Sequence, residues 1–142
     1  MNLSYGIPLR GAITKGDVFI EKDVFVGKAI VDAYLMEQQQ EWVGCWVADD
    51  CVSEPVAAAA ATVLSNALVQ YRIPLKSGRV RSRWAVNWAS LLMLRNEDLE
   101  VGVRSRFFLD DPTSQDAPWE VERKIRNTLA FLQHVGGVYG AA

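Results

Sequence analysis

From Ile7 to Thr14 the chain sets Ile7, Leu9, Gly11 and Ile13 against Pro8, Arg10, Ala12 and Thr14, the alternation of a strand with one face buried. Lys15-Gly16-Asp17 then has the composition of a turn. The β-forming run from Val18 to Val26 is interrupted only at Glu21-Lys22-Asp23, which predicts one bent strand or a short hairpin, closed by Gly27. From Lys28 to Gln40, Ile30, Ala33, Tyr34 and Met36 fall at helical spacing and the Glu37 to Glu41 run is polar, so an amphipathic helix is expected. Trp42 to Ala48 is apolar at both alternating sets of positions, the pattern of a strand inside a sheet or at a subunit contact.

Ser53 is placed to cap a helix with Glu54 and Pro55 in its first turn, and the Ala57 to Ala61 tract favours its continuation to about Gln70. Tyr71 to Lys76 and Arg79 to Ala89 flank Ser77-Gly78, a two-residue hairpin signal. Parity in the second of these strands puts Val80, Trp84, Val86 and Trp88 on one face and Arg79, Arg81, Arg83 and Asn87 on the other. Asn96 to Phe108 reads as a helix, Asp110 to Asp116 as a loop. Asp116, Pro118 and Glu120 then open an amphipathic helix with Val121, Ile125, Leu129 and Leu132 on one side, ending at Gly136-Gly137. The order β-β-α-β-α-β-β followed by two C-terminal helices predicts an α+β fold with an antiparallel-rich sheet, one domain over residues 1–142.

Composition narrows this in one direction. Half of the 142 residues are apolar and the mean hydropathy is +0.03, enough to fill a core and incompatible with a disordered tail. A net charge of -2 and a pI near 5.4 argue against non-specific nucleic-acid binding as the main task. Met1 to Gly6 lacks the basic and apolar regions of a signal peptide, and the longest apolar stretch, Pro55 to Leu64, is half of the roughly 20 residues of a membrane span. The expectation is a soluble cytoplasmic protein with no membrane partner. Cys45, Cys51 and His134 have no zinc-site spacing, so the cysteines read as reduced thiols and neither a metal nor a cofactor is assigned.

Arg10-Gly11-Ala12-Ile13-Thr14-Lys15-Gly16-Asp17, followed by Val24-Phe25-Val26-Gly27-Lys28-Ala29-Ile30, resembles the second half of the class III adenylate/guanylate cyclase catalytic domain. The segments Tyr71 to Gly78, Trp84 to Trp88 and Val121 to Thr128 look like those of bacterial proteins with a degenerate cyclase-like domain. The resemblance spans about Leu9 to Leu132 and implies a ferredoxin-like, cyclase-like sheet. Residue by residue it also implies that the catalytic set is missing. The helix Asn that orients the ribose would fall at Val31, the Arg that stabilises the transition-state phosphate at Leu35, and the acidic residue that selects the purine at Lys28. The family's two metal-holding aspartates precede the matching region, and the chain is expected to begin after them; without paired carboxylates no two-metal clamp on a triphosphate forms. A partial sheet of this kind exposes edges and apolar surface, which a second copy would cover, so a homodimer or a dimer of dimers is expected. Its function would be that of an inactive domain acting through self-association, with a small ligand or another protein as a further partner.

Other polar groups offer alternatives. The row Arg79, Arg81, Arg83 with Asn87 suits a phosphate or carboxylate ligand, or a nucleic-acid backbone, while its simpler role is a solvated face paired with carboxylates of adjacent strands. Trp42, Trp46, Trp84 and Trp88 could line an aromatic pocket, or form core or a subunit contact. Asp49-Asp50 with Asp17 and Glu21 would serve a metal-dependent small-molecule enzyme if they converged; surface loop carboxylates are the simpler reading. His134 near a helix end complements the helix dipole more readily than it serves as a general base.

Overall fold

In a computed structural model, which describes residues 9–62, 67–91, 99–105 and 118–139, the chain is a mixed α+β fold. Strand β1 (Gly11–Ile13) leads into a hairpin of β2 (Phe19–Glu21) and β3 (Val24–Val26), then α1 (Lys28–Gln39) and β4 (Cys45–Val47). Helix α2 (Glu54–Thr62), strands β5 (Leu68–Pro74) and β6 (Val80–Val86), and helices α3 (Leu99–Ser105) and α4 (Trp119–Tyr139) follow. The main sheet has the order β1-β4-β6-β5. β1 and β4 pair in parallel, Gly11 opposite Cys45, because the chain between them makes a full crossover through the hairpin and α1. β6 is antiparallel to both β4 and β5, so the sheet is predominantly antiparallel.

Register settles which side chains share a face. Trp46 stands opposite Ala85, and Ala85 opposite Val69; Tyr71 faces Arg83 and Ile73 faces Arg81 across the β5–β6 pair. That face carries the core. Ile73 and Ala85 are fully buried beneath Ile125, Phe131, Leu132 and Val135 of α4, and Met36 of α1 packs against the same cluster. Trp42, Tyr71 and Phe131 form an aromatic centre, with Trp42 stacked on Tyr71 at 5.4 Å and Phe131 edge-on to both. The reverse face carries Cys45, Val47, Trp84 and Val86.

Residues 40–44 join three elements. The fully buried Gln40 donates through Nε2 to the Gly11 carbonyl of β1 and accepts from the Trp42 indole N–H, both at 2.8 Å. Glu41, also buried, receives a 2.6 Å bond from Asn127 at its carbonyl and an ion pair from Arg123 at its carboxylate, and the Val43 N–H reaches the Thr128 hydroxyl. The end of β5 is closed by the Glu41 N–H on the Pro74 carbonyl and the Lys76 N–H on the Gln39 carbonyl. The Gln40 amide, the Glu41 carboxylate and the Thr128 hydroxyl each have a partner, the condition under which burial of an amide or carboxylate is tolerated.

Several sequence expectations are corrected. Helix α2 does not continue to Gln70: Leu68 to Gln70 belong to β5, where pairing with Val86 to Trp84 overrides the local helical preference. Ser53 stands immediately before α2, and its backbone carbonyl accepts the first helical bond, from the Ala57 N–H. Trp42 to Gly44 bends instead of extending β4, since Gly44 packs directly on the Trp42 ring. β6 ends at Val86, and Trp88 begins a 3₁₀ turn that lays its ring 5.9 Å from Phe131, on the core side and not beside Trp84. α4 passes through Gly136-Gly137 to Tyr139, so His134 lies more than a turn before its end and contacts the Tyr71 ring at 5.2 Å. The bent-strand alternative for Val18 to Val26 gives way to the hairpin, with Lys22 at φ 52° in its two-residue turn. β1 is shorter than the expected Ile7–Thr14 strand, with Leu9, Arg10 and Thr14 outside it; Ile7 and Pro8, the Asp110–Asp116 loop and the ends of the expected Asn96–Phe108 helix lie outside the described residues.

Candidate functional site

Two surface features stand apart from ordinary packing. The first is apolar. In the hairpin Val18, Phe19, Ile20, Val24, Phe25 and Val26 are all exposed, Phe19 by 62% and Phe25 by 60%, on both faces of a two-stranded unit that, among the described residues, pairs with no other strand. The hairpin is anchored at its base: a Cβ on Gly27 would sit 2.5 Å from the Asp17 carbonyl, so the chain crosses itself there more closely than any side chain allows. α1 begins at the next residue and extends the surface with Ile30, Val31, Tyr34 and Leu35, which repeat at i, i+4 along one side of the helix. Val31 and Leu35, the positions at which the resemblance would put the ribose-orienting and phosphate-binding groups, are 56% and 50% exposed aliphatic side chains. Lys28 is exposed and paired with Asp32 one turn along.

The second feature is a cleft of about 320 Å³ between α1 and the core face of the sheet. Thr14 and Lys15 beyond β1, Asp32, Leu35, Met36 and Gln39 of α1, Trp46 and the following Ala48 and Asp50, and Arg81 of β6 line it. Asp32 is engaged by Lys28 and the Thr14 hydroxyl by the Ala29 carbonyl. Among the described residues neither Lys15 nor Arg81 is in an ion pair, and the buried Trp46 indole N–H has no acceptor. The cleft is therefore lined by two exposed cations, Lys15 and Arg81, with Asp50 as its remaining carboxylate, while the Trp46 indole nitrogen is itself sealed from solvent.

The residues singled out by sequence are dispersed. Arg81 and Arg83 share a face of β6, but Arg79 precedes the strand, Arg83 is drawn 3.4 Å from Asp49, and Asn87 is buried beyond the strand with its backbone N–H on the Ala67 carbonyl. Trp42 and Trp46 are core, Trp88 packs at the core's edge, and Trp84 stands on the opposite face of β6. No single aromatic pocket results: Arg81 and Trp46 line the same cleft, while Trp42 and Trp88 meet on Phe131 in the core. Asp17, Glu21, Asp49 and Asp50 do not converge, and among the described residues no group of three or more His, Cys, Asp or Glu is placed to hold a metal ion. Burial pushes the Cys45 thiol above its ordinary value, and desolvation with the neighbouring Asp50 carboxylate does the same to Cys51, so both are protonated and weakly nucleophilic at neutral pH.

Lys15 and Gln39 enter the cleft without any sequence signal, since one sits in a turn and the other in a polar run. The exposed hairpin did leave a trace. Val18-Phe19-Ile20 and Val24-Phe25-Val26 are apolar at both parities, a pattern that needs cover on two sides. Among the described residues no helix is long and apolar enough to cross a membrane. No family model matches the chain, and neither the curated proteins nor the solved structures contain a match to it.

Proposed function

We propose that this chain is a non-catalytic, cyclase-like domain that works by self-association, with a second copy covering the apolar face of β2, β3 and α1. The observation that carries the reading is the exposure itself: aromatic and aliphatic side chains left bare on both strands of the hairpin and along one side of α1, which begins two residues after β3. Exposed apolar surface on this scale marks an interaction site, and an isolated two-stranded hairpin is marginal in water without packing. The occupant follows from charge. Glu21, Lys22 and Asp23 at the tip and Lys28 with Asp32 at the margin mix both signs, so the face selects neither an acidic nor a basic partner and is complementary to itself, as a two-fold contact requires. The absence of catalysis rests on Val31 and Leu35, whose side chains offer neither a hydrogen bond to a ribose nor a charge to a phosphate.

Light scattering on the purified chain at about 10 μM, a concentration at which a dimer of micromolar affinity is populated, is expected to give twice the chain mass. Phe25→Glu combined with Val31→Glu is expected to give a monomer with unchanged helical circular dichroism. A monomeric wild type, or a doubly substituted chain that remains dimeric, rules out this interface. Formation of a cyclic nucleotide from ATP or GTP with Mg²⁺ or Mn²⁺ would overturn the non-catalytic half of the proposal.

A further inference from the structure

The hairpin of β2 and β3 is bare on both of its faces. Register puts Phe19 beside Val26 on one face and Ile20 beside Phe25 on the other, and each of the four is between 58% and 62% exposed. Strands that are apolar at both parities need cover on two sides, and a lone hairpin is marginal in water without it. A partner that only lies against the hairpin covers one face and leaves the other in solvent. In an assembly of two copies, both faces are covered only if the hairpin enters the partner and is held between two apolar surfaces.

Its own chain does not supply the second surface. Gly27, pressed against the Asp17 carbonyl, closes the base of the hairpin, and β3 passes into α1 with Phe25 and Val31 both left exposed. The side of α1 from Ile30 to Leu35 extends about 7 Å along the helix axis, the length of a short strand such as β2 or β3. The remaining exposed large apolar side chains among the described residues are spread over other segments, no more than two on any one. Lys28 and Asp32, next to this side of the helix, are paired with each other, so covering it strands no lone charge.

We infer that the two copies exchange hairpins, each packing one face on the α1 side of the partner and the other face on the partner's hairpin. The inference rests on the self-association reading and specifies how that contact is made. Exchange of an identical element closes a two-fold assembly with no further surface, since the same two patches serve twice.

Charge complementation between variant chains tests it. Val31→Lys is made in one chain and Phe25→Glu in another, with Phe19→Glu as a hairpin variant on the opposite face. Each variant alone is expected to dimerise at least about thirtyfold more weakly than the wild type, the loss of one buried apolar anchor, with unchanged helical circular dichroism. Mixed with Val31→Lys in equal amounts, one of the hairpin variants is expected to recover the mass of two chains in light scattering. In that pair one exchanged contact sets Glu against Lys and the other is wild type. Rescue of either hairpin variant supports the exchange and identifies the face that meets α1. Contacts of hairpin on hairpin and helix on helix alone never set Glu against Lys, so neither mixture would be rescued. A dimeric wild type whose variants are rescued in neither mixture overturns the exchange and leaves self-association standing. Variants that stay fully dimeric alone, or a monomeric wild type, overturn that reading as well.

Discussion

Gly44 shows how a single residue sets the path of the chain. A Cβ there would lie 2.5 to 2.7 Å from the Trp42 ring, inside any real contact distance, and the ring is 1% exposed and held by Gln40, Tyr71 and Phe131. The indole has no room to retreat, so Gly44→Ala is expected to destabilise the fold by about 2 kcal/mol, the usual cost of overpacking, read as a lower denaturant midpoint at unchanged m-value. Retention of the wild-type midpoint would mean that the ring moves freely. Gln40 illustrates what periodicity cannot convey. It belongs to a polar run at the end of α1, yet it is fully buried, because its amide closes bonds to Met36 one turn back, to the nearby Trp42 and to Gly11 of β1. The Gly11 partner, 29 residues away, leaves no local signature.

At the scale of elements, α3 is tied to α4 by apolar packing of Val103 and by the polar contacts of Arg104. Arg104, 4% exposed, forms a two-pronged pair with Glu122 at 2.7 and 2.8 Å and a 2.9 Å bond to Glu100. Hydrogen bonds from Arg104 hold the Glu122 carboxyl below its ordinary value of 4.5, and the Arg104 pKa rises in response, far outside any working range. A carboxylate whose pKa is lowered by folding stabilises the protein fully above that ordinary value, and the contribution is lost as the pH falls through the lowered value. Acid unfolding below pH 4.5 is therefore expected to be less steep in Glu122→Gln than in the wild type. At neutral pH the same substitution leaves a buried guanidinium short of a partner and should cost about 3 kcal/mol. Equal acid sensitivity of the two proteins would show that other carboxylates govern the transition. Neither end of this pair was conspicuous in the sequence, where Arg104 is one charged residue in a short helix and Glu122 one of two acids in the first turn of α4.

For the whole molecule the apolar face is the decisive feature. If a second copy covers it, folding and association are linked by mass action, and the midpoint of thermal unfolding should rise with protein concentration. A scan from about 1 to 100 μM, bracketing a micromolar dissociation constant, is expected to move the midpoint upward by several degrees in the wild type and not in the Phe25→Glu, Val31→Glu chain. A midpoint independent of concentration in both would separate the stability of the fold from the surface altogether.

Local pattern was sufficient for most of the elements. Alternation placed β1 and β6, the break at Glu21 to Asp23 left a bent strand or a hairpin, and helical spacing placed α1 and α4, because each signal lies within a few residues and reflects which side of an element meets water. Tertiary structure decided what each face meets. It assigned Leu68 to Gln70 to a strand by pairing them with β6, buried Gln40 and Glu41, and sent Trp88 to the opposite side from Trp84. The cleft was illegible for the same reason, since Lys15, Gln39, Trp46 and Arg81 come from four separate segments and share a cavity only through the crossover of α1 and the register of β4 with β6. The sequence determined where the chain is apolar; only contacts between distant segments decided which apolar surface became core and which was left exposed on β2, β3 and α1.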